Sequence, residues 1–184
     1  MKNETGTINS ARQAYEKDHV KFLTVTSLAV ALTFVFTRSV NIRLPFAPNG
    51  GLIHLGNVPL FIFAIIFGRK TGAAAGGIGM GLFDLLSGWT AWAPFTLVIA
   101  GAMGYVTGLI TEKKKGYGWY VAAMLAALAI KIGGYYMAEA LIFGNWLTPV
   151  TSIPGNLIQV ITAMIIVLIV IVPLRAAANK VLFN

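Results

Sequence analysis

The chain contains no cysteine, so disulfide, iron–sulfur and thiolate chemistry are excluded at once. Charge is scarce too. Only 11% of its 184 residues are Asp, Glu, Lys or Arg, against roughly 25% in soluble domains. There are two histidines, His19 and His54, far apart in sequence, and no His-Glu-x-x-His zinc motif or Gly-x-Ser-x-Gly nucleophile elbow. The glycine run Gly76-Gly77-Ile78-Gly79-Met80-Gly81 follows no strand and matches neither dinucleotide nor phosphate-loop spacing. These absences argue against an enzyme, an ATPase, a metal site and a bound cofactor.

What remains is apolar. Hydrophobic residues make up 57% of the chain, and the length accommodates about six spans of roughly 20 residues each. The expected fold class is therefore an all-α integral membrane protein with six transmembrane helices, near 20–40, 55–68, 71–87, 93–111, 119–143 and 153–174. Residues 1–19 are polar, lack an apolar signal core, and read as a cytoplasmic segment with a short helix around Ala11–His19. Residues 1–184 read as a single membrane domain.

The net charge of +8 follows topology rather than nucleic acid. Eleven of the 14 basic residues (Lys2, Arg12, Lys17, Lys21, Arg69, Lys70, Lys113, Lys114, Lys115, Arg175 and Lys180) fall on one side of such a bundle. The positive-inside rule makes that side, with both termini, cytoplasmic. Trp89, Trp92 and Trp146 then mark the outer boundary and Trp119 the inner one.

The organising stretch is Leu52 to Trp92, two apolar helices joined by a basic corner, Arg69-Lys70-Thr71. Its second helix carries Gly72-x-x-x-Gly76, a spacing that lets helices pack closely, as does Gly104-x-x-x-Gly108 further on. Ser27 and Ala31 on the first helix have the same small-residue spacing, and serve either internal packing or the docking of another subunit. Residues 41–53, with Pro45, Pro48, Asn49, Gly50 and Gly51, form the longest outer connection, either a passive loop or a lid.

Polar residues converge on the outer half. His54 and Asn57 open span two, Asp84 lies in the outer third of span three, and Asn156 and Gln159 occupy the outer turns of span six. Lys131, Tyr135 and Glu139, four residues apart, share about 80° of one face of span five. A charge at mid-bilayer costs at least roughly 2.5–3.5 kcal/mol. Such residues form either internal pairs, Lys131 with Glu139 or Asp84, or a pocket for a small polar, partly aromatic molecule.

The run HLGNVPLFIFAIIFGRKTGAAAGGIGMGLFDLLSGW resembles the second and third helices of the substrate-binding S components of energy-coupling factor (ECF) vitamin transporters. The resemblance extends in pattern over almost the whole chain. It implies a prokaryotic cell-membrane, multi-pass subunit that captures a vitamin at an outward-facing pocket. Uptake would be ATP-driven and carried out with a transmembrane scaffold subunit and two cytoplasmic ATPase subunits. Ser27-x-x-x-Ala31 looks like the family's scaffold-docking motif, with serine in place of the usual first alanine. The family's site would fall here around Asn41–Ile53, Trp92–Thr96, Lys131–Glu139 and Asn156–Gln159. The modest polar set looks most like members handling hydroxymethylpyrimidine or pyridoxine. Riboflavin or pantothenate are the alternatives, and a stand-alone secondary carrier would be expected to show an internal repeat.

Overall fold

The computed structural model describes residues 13–43 and 52–182, and these are mostly helical. After a helical turn over residues 13–17 come α1 (His19–Ser39), β1 (Asn41–Arg43), β2 (Leu52–His54) and α2 (Asn57–Phe67). They are followed by α3 (Arg69–Leu86), α4 (Ala93–Lys113), α5 (Tyr117–Phe143), a 3-10 turn (Thr148–Ser152) and α6 (Ile153–Leu182). Four of these pieces, α1, α4, α5 and the stretch Thr148–Lys180, are long and apolar enough to cross a membrane.

The remaining two helices differ. With 11 residues, α2 rises only about 16 Å, well short of a 30 Å hydrocarbon core. All of its residues but Ile62 are buried, so protein rather than lipid surrounds it, and its ends need not reach an interface. The chain then reverses at one residue. Gly68, at φ 95°, caps α2 through its N–H to the Ala64 carbonyl (3.0 Å), and its own carbonyl accepts from Gly72 N–H (2.9 Å). The basic corner expected over Arg69–Thr71 is therefore already helical, because glycine supplies the positive φ that ends one helix and starts the next in a single step.

The glycines of α3 let it lie directly on α4. A methyl group at Gly72 would stand 2.7 Å from the carbonyl oxygen of Gly104, and one at Gly77 2.6 Å from that of Leu97. The α3–α4 seam is thus backbone against backbone. Arg69 closes its far end, its N–H donating to Glu112 Oε1 at 2.9 Å and its guanidinium lying over Tyr105 at 5.7 Å.

Residues 13–17 are anchored beside that corner. Tyr15 is 2% exposed, shares a hydrogen bond with Thr71 Oγ1 (3.2 Å), and packs its ring against Phe22 and Phe67. Lys70 pairs with Glu16 at 2.6 Å. On α1 the buried residues are Val25, Ala29, Thr33 and Thr37, one every fourth position. Ser27 and Ala31 lie about 200° around from that stripe and are exposed.

Three features depart from the sequence expectations. First, the chain is not purely helical, because the ends of the 41–53 connection pair as an antiparallel ladder, Asn41 opposite His54 and Arg43 opposite Leu52. The remainder of that connection, on which the lid expectation falls, lies outside the described residues. Second, a 3-10 turn precedes α6. Third, α6 continues through Pro173 to Leu182 rather than ending near 174. Proline there removes one helical hydrogen bond, but Arg175 just beyond it donates to Tyr120 OH at 2.7 Å and ties the extension to α5.

Candidate functional site

Alternation of helix direction brings the starts of α2, α4 and α6 and the ends of α1, α3 and α5 to one end of the bundle, the end that carries the β hairpin. The predicted polar residues gather there and are held by partners on different elements.

Lys131, in the middle of α5, is 2% exposed. Its Nζ donates to Gln159 Oε1 on α6 at 3.0 Å and lies 5.6 Å from the Tyr135 ring centre. One turn on, Tyr135 OH donates to Thr96 Oγ1 on α4 at 3.0 Å, and the Asp84 carboxylate on α3 lies within electrostatic reach of that hydroxyl. A further turn along, Glu139 accepts from Ser152 Oγ at 2.7 Å. The single face of α5 thus reaches α6, α4 and the 3-10 turn in succession.

Of the pairings expected from sequence, Lys131 with Glu139 or Asp84, neither is a direct ion pair among the described residues. An amide is the nearer partner, and Asp84 acts on Lys131 across space. Ser152 had no sequence signal, since its link to Glu139 depends on the unanticipated turn that positions it. Among the described residues Gln159 is the hydrogen-bond acceptor of Lys131 Nζ, which leaves that amine donor capacity beyond the bond.

His54, at the end of β2, is nearly buried, and its Nδ1 accepts the Gly56 N–H at 3.2 Å. Burial first, and then the nearby Lys131 charge, push its pKa well below the ordinary histidine value. The ring is therefore neutral, with its proton on Nε2 and available for donation.

Trp92 and Asn156 are half-buried and more peripheral. Trp92 meets Trp89 edge-on at 5.3 Å and Phe143 at 5.7 Å, which forms an aromatic rim, while Trp146 is largely exposed and lies tilted against the Tyr136 ring. A cavity of about 320 Å³ at this end is lined by Arg38, Asn41, Phe83, Ser87 and Trp89. The sequence reading did not include it. Among the described residues no cluster of His, Asp and Glu has the makings of a metal site.

The geometry is that of a polar, aromatic-rimmed cluster sunk into one end of an apolar helical bundle. Comparison with known proteins bears on what such a bundle is. The sequence profile of the family described as "ECF-type riboflavin transporter, S component" matches residues 17–176, most of the chain. The chain belongs to that family. It is accordingly a membrane transport protein of the ECF S-component type, concerned with uptake of vitamins or their precursors.

Among its relatives is the thiamine precursor transporter HmpT of Lactococcus lactis subsp. cremoris (strain MG1363). That protein is 28% identical over 151 residues, 82% of this chain and 86% of that protein. A second, described as an uncharacterized protein in gap 3'region, comes from Pyrococcus woesei and is 27% identical over 125 residues, 68% of this chain and 83% of the relative.

Proposed function

We propose that this S component captures a small, planar vitamin precursor, hydroxymethylpyrimidine or the similarly sized pyridoxine, in the polar cluster at the hairpin end. The observation that carries the reading is the buried Lys131–Gln159 pair beside the Tyr135–Thr96 bond, with Asp84 within electrostatic reach. It sets donors and acceptors from four elements around one point in an otherwise apolar interior. A molecule of one small ring fits such a set, because aromatic walls give it area while a few fixed polar groups orient it. The likeness to a thiamine precursor transporter supports the same size class.

In this reading all six helices lie in the membrane, both termini are cytoplasmic, and the site opens outward in a prokaryotic cell membrane. Lys113, Lys114, Lys115 and Arg175 then face the cytoplasm, and Lys114 sits 3.7 Å over the ring of Trp119 at the inner boundary. The subunit depends on a transmembrane scaffold and two ATPase subunits for the energy of uptake. The exposed Ser27/Ala31 face of α1 is its docking surface.

Riboflavin is the second reading, because it appears in the family's description. One experiment separates the two. The protein is purified from its host without added vitamin and denatured, and the released small molecules are identified by mass spectrometry. A one-ring pyrimidine or pyridine is expected. Riboflavin or pantothenate in stoichiometric amount would replace the proposal.

A further inference from the structure

Among the described residues two buried side chains hold polar atoms without a hydrogen-bond partner, the Thr33 hydroxyl on α1 and the Asn57 carboxamide on α2, and only Asn57 is unpaired at both a donor and an acceptor. Asn57, the first residue of α2, is fully enclosed, and neither its Oδ1 nor its Nδ2 finds a hydrogen bond. Other polar side chains toward the hairpin end are answered. Lys131 has Gln159, Tyr135 has Thr96, Glu139 has Ser152, and His54 has the Gly56 amide. Buried polar groups in folded proteins are nearly always paired, so an amide unpaired at both ends calls for a specific cause. Leucine at this position, among Val58, Leu60 and Phe61, would carry no such cost.

Its placement supplies a cause. Asn57 follows His54 by three residues, and His54 lies within electrostatic reach of Lys131. The intervening Gly56 is wedged against His54 and Met80 of α3, each 3.1 Å from where a methyl group would stand. Asn57 is therefore fixed by the turn that precedes it, at the end of the bundle where His54 stands.

We propose that Asn57 is a specificity-determining residue whose carboxamide reads a heterocycle edge bearing a ring-nitrogen acceptor next to an exocyclic amino donor, as in an aminopyrimidine. The carboxamide presents one donor and one acceptor side by side. It pairs with such an edge through two parallel hydrogen bonds, the geometry by which asparagine reads adenine. A pyridine flanked only by carbon substituents offers no such pair. The ligand displaces the side chains that now cover the amide and answers both of its ends. This inference rests on the proposed precursor-capture function and narrows its substrate class to aminopyrimidines over pyridoxine.

The test uses the purified full chain and three probes: amino-bearing hydroxymethylpyrimidine, the same ring with hydrogen in place of the amino group, and pyridoxine. The unmodified protein is expected to bind the amino compound roughly 10- to 100-fold more tightly than the other two, the worth of two neutral hydrogen bonds. In Asn57→Leu that preference should collapse to within about threefold, while the ligand-free protein melts no lower than before. Asn57→Ala gives the same comparison should leucine overfill the site. Preference persisting in the variants makes the amide structural and overturns the inference alone. So does equal binding of the two pyrimidines by the unmodified protein. Binding of none of the three probes overturns the proposed function and this inference with it.

Discussion

Lys131, Tyr135 and Glu139 share one helix face yet do different work, because each meets a different element. Lys131 and Glu139 make buried charge-assisted bonds, and truncating either should cost about 1.5–3 kcal/mol in ligand affinity where the group also meets ligand, or about 10- to 150-fold. Tyr135→Phe, which removes only the hydroxyl bonded to Thr96, should cost about 1 kcal/mol. Equilibrium binding on folded variants checks this, and unchanged affinity in Lys131→Ala and Glu139→Ala would leave the α5 face purely structural. His54 gives a pH signature. Its folded-state pKa is depressed, so the unfolded chain binds the proton more readily. Its contribution to stability is complete above the unfolded value, near 6.5, and is lost as pH falls below it. The melting temperature should therefore fall more between pH 7 and pH 5 in the unmodified protein than in His54→Asn, whose carbonyl can still accept from Gly56. Identical pH slopes would show that His54 is not the titrating group. The residue types of this site were legible in sequence, because charge in an apolar run is conspicuous. Their partners were not: Gln159 lies 28 residues from Lys131 and Thr96 39 from Tyr135, separations that local pattern does not encode.

At the level of elements, the seam between α3 and α4 sets what the bundle tolerates. Gly104 faces the Gly72 carbonyl so closely that an added methyl overlaps it, and backbone, unlike a side-chain tip, cannot swing aside. Gly104→Ala should force the two helices apart and destabilise by about 1–3 kcal/mol. Gly133, at an exposed position of α5, has nothing within 4 Å of the corresponding point. There alanine should be neutral or stabilise by about 0.5–1 kcal/mol through its better helix propensity. Thermal melts of the two variants in one detergent compare them, and equal effects would contradict a seam of backbone contact. Small-xxx-small spacing made this seam visible in the sequence. The β ladder was hidden because Asn41–Arg43 and Leu52–His54 are only three residues each and flank a run of turn formers. The continuation past Pro173 was hidden because local propensity argues for a stop there, whereas the Arg175–Tyr120 bond holds the helix through it. The single-residue reversal at Gly68 was misread for a related reason. A basic triplet looks like a loop, yet one glycine at positive φ does the turning.

For the molecule as a whole, the proposed docking turns on α1, whose buried and exposed faces are cleanly divided. Its buried stripe, Val25, Ala29, Thr33 and Thr37, holds it against the bundle. Tyr15, bonded to Thr71, and Thr26, bonded to the same hydroxyl at 3.2 Å, pin its start to the beginning of α3. The opposite face presents Ser27 and Ala31 between exposed Leu23, Leu28 and Val35. Small side chains flanked by exposed apolar ones are a pattern that admits another helix at close range in lipid, where van der Waals contact rather than water exclusion drives association. Leucine at both positions enlarges that face without touching the buried stripe or the polar cluster. On the proposed docking reading, Ser27→Leu/Ala31→Leu should fold, bind the proposed precursor within about twofold of the unmodified protein, and lose uptake, because a partner helix held off by two isobutyl groups forfeits much of its contact. Three measurements on one variant decide the matter: equilibrium binding, co-purification with the ATPase-bearing partners, and cellular uptake. Loss of binding together with uptake would place the defect in folding or the site. Uptake at the unmodified rate would mean that the partner approaches from another side of the bundle.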